Sequence, residues 1–278
     1  MELTVERPST DTIRARFNYV VPMTSPAVRY IDWPEMEHLA VPPQYELHEM
    51  TIHDGRPVRD TFELDTHGFV FADHHTKVKD FADEAERKRV YDAEVQALVR
   101  KHSGASEVVV FDHTIRLTDD KSQRVVGARP TVKGVHNDYT ERSAPVRLRE
   151  IVGDAEAERR MQKRWAIIQV WRPIRGPVMI DPLGICDGRS IPQKGFIRVE
   201  RRYQYRTGEV YHIAHDPSHT WYWFPKMNRN EALVFKVFDS DETKPSRFTA
   251  HSAFDDPNTP PDAPPRESME TRTFAFWD

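Results

Sequence analysis

From residue 165 to the C-terminus the chain is a succession of short extended runs. They are "WAIIQVW" (165–171), "FIRVERRYQYR" (196–206), "EVYHIAH" (209–215), "TWYWF" (220–224), "ALVFKVF" (232–238), "RFTAHSAF" (247–254) and "ESMETRTFAFW" (267–277). β-Branched and aromatic residues fill them, and Thr207-Gly208 and Met227-Asn228-Arg229-Asn230 read as hairpin turns. Many short strands without strand–helix alternation argue against a parallel α/β sheet and predict an all-β core, a jelly-roll or barrel. "EVVVFDHTIRL" (107–117) is a further strand. Helices enter only as additions. Between Lys77 and Lys101 the apolar residues recur near helical spacing and Gly104 follows as a stop; a second helical stretch runs from about Ala144 to Lys163. Residues 1–55 carry Pro8, Pro22, Pro26, Pro34, Pro42 and Pro43 without sustained periodicity. They are expected to form an N-terminal wrapping arm, with residues 56–278 as the β-rich domain. "DDPNTPPDAPP" (255–265) reads as a proline-rich loop between the last two strands.

Charge narrows the partners. A net charge of −4 with 30% charged residues sets up no field that draws nucleic acid or an anionic membrane. The basic aromatic run "RRYQYR" is accordingly read as a solvated strand. No apolar run approaches the roughly 18 residues of a membrane span, and "MELTVERPSTDTIRARF" has no signal-like apolar segment. Cys186 is the only cysteine, which excludes an internal disulfide framework and a cysteine-based zinc cluster and suits a reducing cytosol. A soluble, cytoplasmic protein is expected, with its oligomeric state left open. Gly-x-Ser-x-Gly, the elbow of a serine hydrolase, is absent.

The centre of the chain holds "VHNDYT" (135–140). With 13 His and 44 Asp plus Glu in 278 residues, about two His-x-Asp/Glu triplets are expected by chance, so this single one means little alone. On an extended strand, however, His136 and Asp138 project from one face. The site suited to non-haem iron has two histidines and one carboxylate, and the candidate second histidine is His251 in "RFTAHSAF". Fifteen residues later comes Arg266-Glu267-Ser268, whose arginine and serine again share a strand face; the other Arg-x-Ser runs from Arg7 to Ser9. An arginine fork with a hydroxyl beside it is a natural carboxylate receptor.

His-x-Asp on an early core strand, a distal histidine on a late strand, then Arg-x-Ser before the last strand resembles the Fe(II)/2-oxoglutarate-dependent oxygenases. The segments "VVVFDHTIR", "VHNDYT", "WRPI", "DPLGICD", "WYWFPKMNRNEALVFKVFDS" and "PPRESMETRTFAF" look like the gibberellin-desaturase and cephem-methoxylase-like family of fungal and bacterial secondary metabolism. The resemblance implies a double-stranded β-helix, the jelly-roll already read from the strands. It implies that His136, Asp138 and His251 hold Fe(II), and that Arg266 and Ser268 bind the distal carboxylate of 2-oxoglutarate as co-substrate. Gln169, on the strand 165–171, reads either as reaching that co-substrate or as a plain strand amide. The resemblance further implies a small secondary-metabolite or amino-acid-type substrate and O2, with hydroxylation, desaturation or ring closure as outcome and succinate and CO2 as by-products. The carboxylate at Asp138 is not the ligand set of a halogenase.

Each residue has a plainer reading. Arg272 lies on the strand face of Arg266 and competes for 2-oxoglutarate. Arg116 is a candidate for a substrate carboxylate or a structural ion pair, and Tyr139 and Trp223 for lining the substrate pocket or for core packing. His74-His75 and His212/His215/His219 form alternative histidine groups without a carboxylate at ligand spacing. The rival function is a non-catalytic jelly-roll that holds a metal or small ligand. That rival gives Arg266 and Ser268 no reason to follow His251.

Overall fold

The computed structural model describes residues 11–118 and 127–278. Pro8 and the Arg7/Ser9 pair lie outside the described residues. In chain order the strands are β1 (Thr12–Val20), β2 (Ala27–Tyr30), β3 (Tyr45–Asp54), β4 (Phe69–Asp73), β5 (Glu107–Leu117), β6 (Arg129–Pro130) and β7 (His136–Asn137). They continue as β8 (Trp165–Arg175), β9 (Leu183–Cys186), β10 (Phe196–Arg202), β11 (Thr207–Ile213) and β12 (Trp221–Trp223). The last three are β13 (Glu231–Asp239), β14 (His251–Ala253) and β15 (Glu267–Phe276). One sheet has nine strands in the order β1-β3-β12-β9-β14-β7-β11-β10-β2, the other six in the order β4-β13-β8-β15-β5-β6. The first 55 residues, expected as a wrapping arm, contribute β1 and β3 to one end of the larger sheet and β2 to the other.

The two sheets face each other across one apolar core. Phe17, Ile52, Ile185, Trp221 and Phe254 from the larger sheet meet Phe69, Ile167, Trp171, Phe235 and Phe274 from the smaller. Strand β8 shows how sequence makes this layer. Its residues Trp165, Ile167 and Trp171 point between the sheets, while Ala166, Ile168 and Val170 point the other way, against Val95, Leu98 and Val99 of a covering helix. A strand covered on both faces reads as an unbroken apolar run rather than an alternating one, and "WAIIQVW" is such a run.

The helices differ in detail from expectation. The first begins at Asp83, whose carboxylate accepts from the Ala85 and Glu86 N–H groups at 2.9 and 3.1 Å, so residues 77–82 stay outside it. Helix α1 (Glu84–Glu86) passes through a π-turn at Arg87–Tyr91 into α2 (Asp92–Ser103), which ends at Gly104 with φ +70°. The second stretch is two helices, α3 (Ser143–Val152) and α4 (Asp154–Met161), separated by Gly153 at φ 83° and ψ 159°. The turn expected at Thr207-Gly208 lies earlier. Arg202 pairs with Thr207, the Tyr203 N–H donates to the Arg206 carbonyl at 2.8 Å, and Gly208 sits in β11 opposite Arg201. Among the described residues no helix is long and apolar enough to cross a membrane.

Candidate active site

Strands β7 and β14 lie side by side in the larger sheet, with His136 directly opposite His251 and ring centroids 4.3 Å apart. Asp138, two residues beyond His136, points to the same side. One ligand atom from each of the three residues falls within 4.8 Å of the others, and among the described residues this is the group so arranged. The His136 Nδ1–H donates to the Gly134 carbonyl at 2.8 Å, which fixes the tautomer and leaves Nε2 aimed at Asp138 Oδ1, 3.4 Å away. Between them Asn137 turns the other way, fully buried. Its amide donates to the Val237 and Tyr139 carbonyls at 2.8 and 2.7 Å and accepts from the Thr249 N–H at 3.3 Å. The middle residue of His-x-Asp thus anchors the ligand strand to β13 and to the approach to β14.

Asp138 is held at one oxygen. Its Oδ2 accepts from Gln169 Nε2 at 2.6 Å and from Arg272 Nε and Nη2 at 3.0 and 2.7 Å. Burial alone raises the pKa of this carboxyl, but the Arg272 guanidinium and the His136 ring outweigh it and hold it well below the ordinary range. Arg272 spends its other donors on Asp112 (2.6 Å), Thr114 (3.1 Å) and Glu270 (3.0 Å). Its guanidinium is therefore committed to protein carboxylates. Arg116 is committed as well: Nε and Nη2 fork Glu270 at 2.5 and 3.0 Å, and Nη1 donates to the Pro130 carbonyl at 3.0 Å. Of its two readings, the ion pair is the one this geometry displays.

Arg266 is placed differently. It is 2% exposed, donates from Nε to Ser268 Oγ at 3.0 Å and from Nη1 to the Asp181 carbonyl, and stacks 5.3 Å from the Trp171 ring. Among the described residues it makes no ion pair. Burial accordingly lowers its pKa to about 10. A buried guanidinium without a counter-ion is costly unless an anion arrives to meet it. Gln169, at the Asp138 end, and Trp171, under Arg266, are two residues apart on the same face of β8, about 7 Å at the usual strand rise. That interval matches a short diacid laid between the triad and the arginine.

These residues fit a ferrous ion chelated by 2-oxoglutarate. Two imidazoles and a singly available carboxylate oxygen are the donor set such iron takes. His251 Nδ1, Gln169 Oε1 and Trp171 Nε1 are buried there without hydrogen-bond partners, and burial holds the His251 imidazole neutral, with its pKa down at about 3. Of the alternative histidines, His212 lines the neighbouring cavity, its ring centroid 6.2 Å from that of His136, and three others serve elsewhere. His219 bonds Tyr19 Oη at 3.1 Å, His215 stacks on His48 at 3.9 Å, and His74 accepts from Arg172 at 3.1 Å. Cys186 is buried and unpaired, its thiol pushed up to about 12 by burial.

A cavity of about 430 Å³ opens beside His136 and Asp138, walled by β10 and β11 on one side and by β5, β6 and α3 on the other. Tyr139, Arg116 and Arg272 line it. Of the two readings of Trp223, pocket lining or core packing, the structure displays the second: it packs between the sheets at 4% exposure. Sequence reasoning missed the clamp of Gln169 and Arg272 on Asp138, the anchoring Asn137, and Arg29, Arg129, Arg201 and Arg206 in the cavity lining. Only the shared strand face of Arg272 and Arg266 hinted at the first.

Comparison with known proteins agrees with this geometry. A family model described as an oxidoreductase/YMDC permease-like domain matches residues 17–276. The chain is 34% identical over 236 residues to the Fe(II)/2-oxoglutarate-dependent dioxygenase nvfI of Aspergillus novofumigatus, covering 82% of this chain and 83% of that protein. It is 33% identical to the hydroxylase/desaturase CTB9 of Cercospora beticola, covering 84% and 78%. The solved structure of the iron and alpha-ketoglutarate-dependent endoperoxidase NvfI superposes with a TM-score of 0.87 at 28% identity, over 96% of this chain and 98% of that one. With the jelly-roll fold shared and the sequence related along most of its length, the chain belongs to the Fe(II)/2-oxoglutarate-dependent oxygenases of secondary metabolism and is an oxidoreductase of that family.

Proposed function

We propose that His136, Asp138 and His251 bind the iron, that Arg266 and Ser268 bind the distal carboxylate of 2-oxoglutarate, and that the substrate's C–H bond is presented from the cavity lined by Tyr139. The observation that carries this reading is the triad standing next to a buried arginine that lacks a counter-ion. When bound, ferrous iron and 2-oxoglutarate supply the oxidising power that breaks the C–H bond with O2, releasing succinate and CO2. The protein's own part is positioning. Gln169 and Arg272 pin Asp138 Oδ2 and leave Oδ1 to the metal. The Gly134 carbonyl orients His136, and the apolar core behind His251 keeps water from that side. Arg116 is tied to Glu270 and supports Arg272 through it, so its role toward substrate is to shape the wall. A small molecule is the substrate, with neither nucleic acid nor membrane as partner, and the free, buried Cys186 suits a cytosolic setting.

The test is succinate formation from 2-oxoglutarate in the presence of candidate metabolites, with the mass of each product. A gain of one oxygen identifies hydroxylation, a loss of two hydrogens desaturation or ring closure, and a gain of two oxygens an endoperoxide like that named for the NvfI relative. Succinate formation that no candidate stimulates, together with failure to retain iron, contradicts the reading.

A further inference from the structure

The chain as a whole is acidic, yet the cavity beside the triad is lined by seven arginines against four carboxylates. Three of those arginines are neutralised within the protein: Arg116 by Glu270, Arg147 by Glu150, and Arg272 by Asp112, Asp138 and Glu270. The other four, Arg29, Arg129, Arg201 and Arg206, have no carboxylate within ion-pair distance among the described residues. Two of them are placed by the sheet itself. Strand β2 pairs in parallel with β10, and the register sets Arg29 directly against Arg201. Like charges opposite each other on neighbouring strands destabilise the pair. An edge strand that carries such a pairing over a cavity therefore gains if an anion bridges the two.

The pair is also connected to the metal row. Arg29 Nη2 donates to Tyr45 Oη at 3.2 Å, Tyr45 Oη bonds His212 Nδ1 at 3.1 Å, and His212 stands opposite His136 in the sheet. Arg201 of β10 pairs with Gly208 of β11, and both residues line the cavity. From His212 to Gly208 is four residues, about 13 Å along the strand. Val199 and Val210 line the cavity over that interval.

We propose that the substrate is an amphipathic organic anion. Its carboxylate or other oxyanion is forked by Arg29 and Arg201 at the cavity mouth, and its apolar body runs past Val199 and Val210 to the metal row. The atom oxidised then lies on the order of 10 Å from the anionic group. The assignment deepens the oxygenase reading and rests on it for the identity of the bound molecule as substrate; the anion subsite itself needs no metal.

The test uses metal-free protein and calorimetric titration with three probes of one chain length: decanoate, decanamide and decyl phosphate. Wild type binds decanoate about tenfold more tightly than decanamide, as expected for charge-assisted pairing to two guanidinium groups. In the Arg29→Gln/Arg201→Gln variant the preference falls to about twofold or less, and in wild type it shrinks as salt is raised. Tighter binding of decyl phosphate than of decanoate assigns the pair to a phosphate, and the reverse order to a carboxylate; both sustain the proposal. Equal binding of acid and amide, binding of none of the probes, or a preference that survives in the variant overturns it. Retention of Fe(II), measured separately by metal analysis, tells the two readings apart. A protein that holds iron but shows no anion preference refutes the anion subsite alone. One with the preference but without iron refutes the oxygenase reading alone.

Discussion

Two arginines six residues apart do different work, and the difference lies in their partners. Arg272 is surrounded by Asp138, Asp112 and Glu270, and these carboxylates hold its charge against the penalty of burial. Arg266 has a hydroxyl, a backbone carbonyl and an aromatic face, but no carboxylate among the described residues. Arg266→Ala should therefore raise the 2-oxoglutarate KM by roughly tenfold or more while leaving Fe(II) retention intact. Arg272→Ala should loosen Asp138 and weaken iron retention. A larger 2-oxoglutarate defect in the Arg272 variant, by steady-state kinetics, reverses the assignment. Glu270→Ala leaves Arg116 and Arg272 short of a buried partner and is expected to cost about 3–5 kcal/mol of stability by chemical denaturation. Much of this site was legible beforehand, because ligand residues must be particular types at particular strand spacings. His136, Asp138, His251 and the Arg266/Ser268 pair were picked out by type, spacing and order, their roles came from the family resemblance, and the structure brings the first three together. The grip of Gln169 and Arg272 on Asp138 was not. It arises between strands far apart in sequence, and an amide or arginine inside a strand carries no mark of its partner.

At the level of elements, the strands were plainer than their ends. "EVVVFDHTIRL" is β5 residue for residue, and "ESMETRTFAFW" is β15 but for one residue. Both are long and β-branched, and they pair with each other over ten residue pairs. "RFTAHSAF" shrinks to the three residues His251–Ala253, since only those pair with β9, and of them His251 also pairs with β7. Helices were misjudged where local chemistry overrides periodicity. Asp83 supplies a cap that starts the first helix late, and Gly153 interrupts the second. Gly153 sits at φ 83° with nothing within 4 Å of where a Cβ would stand. Gly153→Ala should thus cost roughly 1–3 kcal/mol through backbone conformation alone, because φ 83° with ψ 159° is open essentially to glycine, read as a fall in thermal midpoint. Gly188→Ala should cost more, because its Cβ would fall 1.8 Å from Ser246 Oγ and 2.7 Å from the Phe248 carbonyl oxygen.

For the whole molecule, the sheets bury histidines as neutral rings. Burial lowers His74 and His219 to about 4, with Arg172 adding to the effect at His74. A histidine whose folded pKa lies below its unfolded value of 6.5 takes up its proton more readily when unfolded. Stability is therefore full above pH 6.5 and declines as pH falls toward 4. Glu270, held down to about 2 by Arg116 and Arg272 against the opposing effect of burial, acts in the same direction only below about 4.5. Thermal midpoints of the metal-free protein should be flat from pH 8 to about 7 and fall between about 6.5 and 4; a midpoint that rises over that interval contradicts the burial of these rings.

The fold class was visible in the run of short strands because a double-stranded β-helix is made of little else. Less visible was how the N-terminal strands β1, β2 and β3 complete the larger sheet: β1 alternates at Ile13, Ala15, Phe17 and Tyr19, but β3 pairs with β12 and β2 with β10, strands far along the chain. That completion places Arg29 over the cavity.

The central claim is that His136, Asp138 and His251 hold iron where 2-oxoglutarate can chelate it. It is tested most directly by adding Fe(II) and 2-oxoglutarate to the protein without oxygen and recording the visible spectrum. The wild type should develop a weak charge-transfer band, and His136→Ala should not. Absence of the band in wild type, or its persistence in His136→Ala, would contradict the account.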